Sequence, residues 1–282
     1  MMKALALLAG LAALAQGAPP DMNYSVAKVD KLPAVDGKAD DAAWAKAAEL
    51  VVKIDKIDDF EKPKNKCILK AVHDGDSICF LLVWEDKTKN DTHGTFVWKD
   101  AKGEYEADEN DVEDAASLAF ALEGKFNPDM FAPNPSKWDV WEWQAFRANA
   151  GHAKDRHHVY SKERIEKSKK FKARDDSDIF ITRLDDEGTP PAKKVEAPTE
   201  KKGDRVPGFV LQAPSGSGAD VAAKGMHDGT KWTVEFKRKL KTGNADDAVF
   251  DVTRTMDCAV AVFDNAEKRE HEVSGKIILK FQ

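Results

Sequence analysis

Cysteine is scarce, and its spacing excludes several chemistries. The chain of 282 residues has three cysteines and no CxxC. Thiolate zinc clusters and redox dithiols at their usual spacing are therefore ruled out, as is the CxxCH sequence through which c-type haem is attached. Any haem in this chain is held non-covalently. Nor does the sequence contain a GxSxG nucleophile elbow, an HExxH zinc helix, a phosphate-binding glycine loop or a dinucleotide fingerprint. Paired glycosidase acids leave no such trace, because the fold sets their spacing, and nothing in the sequence points to them. No basic excess exists: acidic residues outnumber Lys and Arg by 50 to 44, for a formal net charge of −6. That balance does not suit nucleic acid or an anionic membrane surface.

Long apolar runs are missing as well. The longest spans Ala4 to Ala15 in MMKALALLAGLAALAQGAPP, short of the roughly 20 residues that cross a bilayer. With Lys3 before it and Ala15, Gly17 and Ala18 after it, the segment has the order of a secretory signal peptide. Residues 1–18 are expected to be cleaved, leaving a periplasmic or secreted protein of residues 19–282.

Strands are what the remainder offers. CILKAVHDGDSIC (67–79) reads as a hairpin turning at Asp74-Gly75. A two-residue loop pairs Ala71 with Ile78, Leu69 with Phe80 and Cys67 with Leu82. Cys79 then points to the other face, and a Cys67–Cys79 disulfide does not form. FLLVWED (80–86), ASLAFALEG (116–124), DIFITRL (178–184), KWTVEFKRKL (231–240) and MDCAVAVFD (256–264) read as further strands. In the fourth, Trp232, Val234 and Phe236 share one face. PAVDGKADDAAWAKAAEL (33–50) suggests a turn and a short Ala-rich helix with Ala43, Ala47 and Ala48 inward. KDAKGEYEADENDVED (99–114) reads as a solvated acidic loop, and SKERIEKSKKFKARDD (161–176) as helix or loop. Residues 185–208, with four prolines, read as a mobile charged insertion. The sum is all-β: a single, mainly antiparallel β-sandwich domain with short helices and long loop insertions.

Aromatic rings and imidazoles gather at 137–158, KWDVWEWQAFRANAGHAKDRHH. On a strand, Trp141 and Trp143 share one face. They serve equally as core, as one wall of a flat-ligand slot, or as a sugar platform. His152, His157 and His158 lack the i, i+4 spacing of a metal-binding helix and read as a surface loop. Upstream, Met130 sits among prolines in FNPDMFAPNPSK, where a thioether ligand and ordinary packing are both accommodated. In HEVSGKIILKF (271–281), alternation puts His271 on the face of Val273, Ile277, Leu279 and Phe281. A core-edge histidine and an axial ligand both fit that position.

AVDGKADDAAWAKA (34–47), VHDGDSICFLLVWEDKTK (72–89), WDVWEWQAFRANAGHAKDRHHVYS (138–161) and the C-terminal strands resemble, in order and character, the ethylbenzene-dehydrogenase-related haem-binding domain. This is the γ-subunit type of dimethyl-sulfoxide-reductase-like molybdoenzymes, seen also in cytochrome c-552-like proteins. DGKADDAAW further resembles the start of family 9 carbohydrate-binding modules. The first resemblance implies one non-covalent haem b held by a methionine, matching Met130, and by a C-terminal lysine. His271 matches that lysine's position. It implies an exported electron carrier rather than an enzyme, serving a redox partner such as a molybdoenzyme catalytic subunit. Trp141 and Trp143 would wall the porphyrin and Arg147 would pair with a propionate. The second resemblance implies a secreted carbohydrate-binding module without haem.

Overall fold

The computed structural model describes residues 21–56, 65–264 and 271–282. The signal-like segment 1–18 lies outside them. The strands are β1 (Met22–Lys28), β2 (Leu50–Lys56), β3 (Asn65–His73), β4 (Ser77–Glu85), β5 (Phe96–Lys99), β6 (Glu104–Ala107), β7 (Ala115–Gly124), β8 (Ser136–Gln144), β9 (Gly151–His152) and β10 (Lys154–Ser161). They continue with β11 (Lys169–Lys172), β12 (Asp178–Asp185), β13 (Ala192–Lys194), β14 (Arg205–Val206), β15 (Phe209–Leu211), β16 (Ala222–His227), β17 (Lys231–Lys239), β18 (Met256–Phe263), β19 (Glu272–Ser274) and β20 (Ile277–Phe281). Helix is confined, among the described residues, to two 3₁₀ turns at Ala42–Ala45 and Ser217–Ala219. The all-β expectation holds.

One large sheet runs β11-β12-β10-β8-β7-β18-β19-β2-β3-β4-β17-β16-β9, with β1 and β20 paired alongside. It doubles over near β18, β19 and β2, so that β7 and β8 face β4 and β17 as a sandwich. Aromatic pairs bridge the two layers: Phe80 of β4 packs on Phe120 of β7 at 5.4 Å, and Trp84 of β4 on Trp143 of β8 at 6.1 Å. The pairing is antiparallel except at β1, which runs parallel to both β20 and β3. Burying the inward-facing apolar side chains of both layers is the main source of stability, at about 25 cal/mol per Å² removed from water.

The β3–β4 hairpin closes two residues later than expected, with His73 opposite Ile78, Ala71 opposite Phe80 and Cys67 opposite Trp84. A shift of two leaves every side chain on its predicted face. Cys67 and Cys79 are accordingly free, as is Cys258. At the N-terminal turn the anchor is Trp44, with Ala47 buried and Ala48 exposed. The Trp44 indole donates to Glu235 Oε1 at 2.8 Å, and Glu235 Oε2 accepts the N–H groups of Asp36 and Gly37.

Several expected loops are built as strands. Residues 104–107 pair with β5, and Asp114 of the acidic stretch is fully buried, accepting from the Trp232 indole at 3.0 Å. Within 161–176, residues 169–172 pair with β12. The GHAKDRHH segment is not a surface loop: it forms β9 and β10, and β10 lies between β8 and β12. The 185–208 insertion is tied down by β13–β15 and β14–β5 pairs, though it adds little to the core. Backbone pairing needs no apolar side chain, which is why composition misread these segments.

Candidate functional site

Strand alternation in β8 divides the predicted site residues between two faces. Trp141 and Trp143 point into the sandwich and have no exposed surface. Trp141 packs on Phe80, Phe120 and Phe250 with centroids 4.7–5.8 Å apart. Trp143 packs edge-on against Trp84 and Trp232, and its indole donates to Asn149 Oδ1 at 3.0 Å. Both are core filling.

Trp138 and Val140 point the other way. They join Phe126, Tyr160, Ile179, Ile181 and Ala259 in a second apolar cluster, against which Met130, Ala119 and Ala121 pack. Met130 therefore lies on the face of β8 opposite to Trp141 and Trp143. The expectation that these three share one pocket is corrected: odd and even residues of a strand cannot line the same side.

His271 is also on this outer face, for a reason that strand parity alone misjudged. The C-terminal segment is two strands, and the break at Gly275-Lys276 shifts the alternation. Ser274 pairs with the core residue Ile54, and Ile277 with the core residue Cys258. Val273, opposite Ala261, faces outward instead. His271 stacks on Phe263, centroids 4.7 Å apart and planes at 19°. Since Cys258, Val260 and Val262 enter the main core, Ala259, Ala261 and Phe263 lie on the outer side of β18.

His158, expected in a surface loop, also lies on this face. It sits beside Trp138 on β10, and its Nε2 is buried without a hydrogen-bond partner. Burial, then the charges of Arg156, Arg183, His157 and His271, hold its pKa well below the ordinary imidazole value. Burial and these charges thus favour the uncharged imidazole. The signal available in the sequence was parity with Trp138, once β8 and β10 are known to pair.

The outer face of β18, β7, β8 and β10 thus carries Met130, His158 and His271, a thioether and two imidazoles, and the charge of His271 reaches His158. Its floor is lined with small side chains: Ala119 and Ala121 on β7, Ala259 and Ala261 on β18. That combination fits a flat apolar group with soft or borderline axial donors, such as a porphyrin. At its edge Arg156 pairs with Glu142 at 2.7 Å and Asp185 at 3.1 Å, and Arg183 lies opposite His158.

The predicted propionate partner Arg147 and the other histidines are engaged elsewhere. Arg147 pairs with Glu113 and lies over the Phe209 ring at 5.0 Å. His157 contacts Asp186 Oδ1 at 2.6 Å, His152 the carbonyl of Ala219 at 3.2 Å and His73 the carbonyl of Gln282 at 3.1 Å. His93 packs on Phe209 at 5.5 Å.

The family model for ethylbenzene dehydrogenase matches residues 41–274. The chain belongs to this family. No curated protein matches it. Among solved structures, the chain is similar to a family 9 carbohydrate-binding module of Caldicellulosiruptor kristjanssonii in complex with cellotriose. Identity is 11% and the TM-score 0.40, covering 93% of this chain and 95% of that one. The same module in complex with glucose gives 11% identity and a TM-score of 0.40, covering 92% and 96%. No described helix is long and apolar enough to cross a membrane.

Proposed function

We propose that this protein is an exported, non-covalent haem b carrier that passes electrons to or from a partner oxidoreductase, and has no catalytic site of its own. The observation that supports it is that Met130, His158 and His271 lie on one face of the sheet, which also carries the small side chains of Ala119, Ala121, Ala259 and Ala261. Met130 and His271 are the residues that would hold the haem. The bound haem supplies a one-electron couple.

The side chains account for the rest. The alanines add no bulk beyond Cβ, while Trp138 and Val140 supply an apolar wall. An apolar wall and a thioether donor both favour the ferrous state and raise the potential. A haem held by Met130 and His271 would supply one-electron chemistry suited to outer-sphere transfer. Arg156 and Arg183 replace Arg147 as the cations nearest His158. The proposed partner is a redox protein such as a molybdoenzyme catalytic subunit, met in the periplasm. The sugar-platform reading is set aside, because Trp141 and Trp143 have no exposed ring face.

The test is haemin titration of the purified protein, with visible spectra of oxidised and dithionite-reduced forms beside Met130→Ala, His271→Ala and His158→Ala. A low-spin reduced spectrum that turns high-spin in the first two variants, and survives in the third, is expected. Failure of the parent to take up haemin overturns the reading.

A further inference from the structure

A second cluster lies inside the sandwich, on the opposite face of β8 and β10 from the haem face. Asp139 of β8, Asp155 of β10 and Asp247 of the loop after β17 each place a carboxylate oxygen within 4.8 Å of the other two. None of the three is more than 3% exposed. One cation serves them. Arg238, on β17 of the facing layer, donates through Nη1 to Asp139 Oδ2 at 2.6 Å and to Asp247 Oδ1 at 2.8 Å, and through Nη2 to the Ala248 carbonyl.

Asp155 is different. It is 2% exposed, and neither of its carboxylate oxygens has a hydrogen-bond partner. An ionised carboxylate taken out of water with no partner is among the costliest groups a fold can carry. Three carboxylates against one guanidinium leave two negative charges uncompensated, and Asp186 beside Asp155 adds to the repulsion. One divalent cation restores neutrality. Three convergent carboxylates without sulfur or nitrogen donors select a hard, oxygen-loving ion.

We infer that Asp139, Asp155 and Asp247 form a structural site for a hard divalent cation, calcium foremost, that joins the two layers of the sandwich beneath Arg238. Asp155 is the principal ligand, and Asp139 and Asp247 bridge the ion and the guanidinium. The site is independent of the haem reading: it lies on the other side of β8 and needs no cofactor.

The experiment is thermal unfolding of the purified protein after EDTA treatment and exchange into metal-free buffer, with CaCl₂, MgCl₂ or neither added back. With calcium at about a hundredfold over its Kd, the midpoint is expected to rise by roughly 5–10 °C, and calorimetric titration to give one ion per chain. Asp155→Asn keeps the shape and removes the charge. In metal-free buffer this variant should unfold at or above the parent's midpoint, and calcium should no longer move it. A parent whose midpoint neither ion shifts would mean that Asp155 is held as a neutral carboxylic acid, and would overturn the site. So would a calcium shift that persists undiminished in Asp155→Asn, since the ion would then bind elsewhere.

Discussion

His271 and Phe263 stack nearly parallel, centroids 4.7 Å apart, so the ring proposed to face the iron has its orientation fixed by an aromatic neighbour on the next strand. A ligand held in this way loses little rotational freedom on binding.

Phe263→Ala removes that support while leaving the donor atom in place. The expected result is a haemin-loaded protein with an increased high-spin fraction and an unchanged far-ultraviolet circular dichroism spectrum. An unchanged low-spin spectrum would show that Phe263 does not orient the ligand.

Arg238 is the buried cation on which Asp139 and Asp247 depend, and it also lies over the Trp141 ring at 4.7 Å. Arg238→Met preserves bulk but strands buried carboxylates, a loss of about 3–5 kcal/mol for a broken buried pair. Urea unfolding followed by tryptophan fluorescence measures it. A change below 1 kcal/mol would mean that the carboxylates are already neutralised by other means.

Gly225 lies directly under Trp143. A Cβ added there meets ring atoms of Trp143 at 2.3 and 2.6 Å, and the Gly225 N–H donates to the same Asn149 oxygen that accepts from the indole. Gly225→Ala therefore pushes a fully buried ring out of place, costing on the order of 1–3 kcal/mol as overpacking does. Gly229→Ala, whose added Cβ meets nothing within 4 Å but whose φ is +98°, is strained in its backbone alone. The two midpoints under urea separate packing from backbone strain, and the Gly225 variant alone should show altered tryptophan fluorescence in the folded state.

Burial, reinforced by the positive charge of Arg147, brings the His93 pKa down from 6.5 to about 4. Between those values the unfolded chain binds a proton that the folded protein refuses. His93 therefore lowers stability progressively as pH falls from 6.5 towards 4, and has no such effect above that window. His93→Gln should flatten this part of a plot of thermal midpoint against pH. Parallel curves for parent and variant would show that the imidazole titrates normally.

Much of the sandwich was legible in the sequence. Trp232, Val234 and Phe236 announce one inward face, and Asp74-Gly75 a turn whose two-residue error left every side chain on its predicted side. Met130 and His271 were singled out one by one, and both lie on the outer face of the β8 layer. What the sequence hid was the assignment of faces. Trp138, Trp141 and Trp143 stand in one run, and only pairing with β7 and β10 shows that the first belongs to a different cluster from the other two. The polar core was hidden for a similar reason. Arg238 looks like a solvated charge in KWTVEFKRKL, and its burial depends on Asp139, 99 residues away in the chain; Asp155 in AKDRHH gives no sign that its strand lies inside the sandwich.

The parallel pairing of β1 with β20 sets a condition on how the protein is made. Met22 aligns with Ile277 and Val26 with Phe281, so the first and last strands of the described fold are neighbours despite the whole domain between them. No stretch that stops short of residue 277 contains both halves of that seam. Contacts of such long sequence separation are formed late and slowly. The sheet that carries the proposed haem face is thus completed only once residues 277–281 are in place, and a partly synthesised chain presents the β1 and β18 edges that β20 covers unpaired until then.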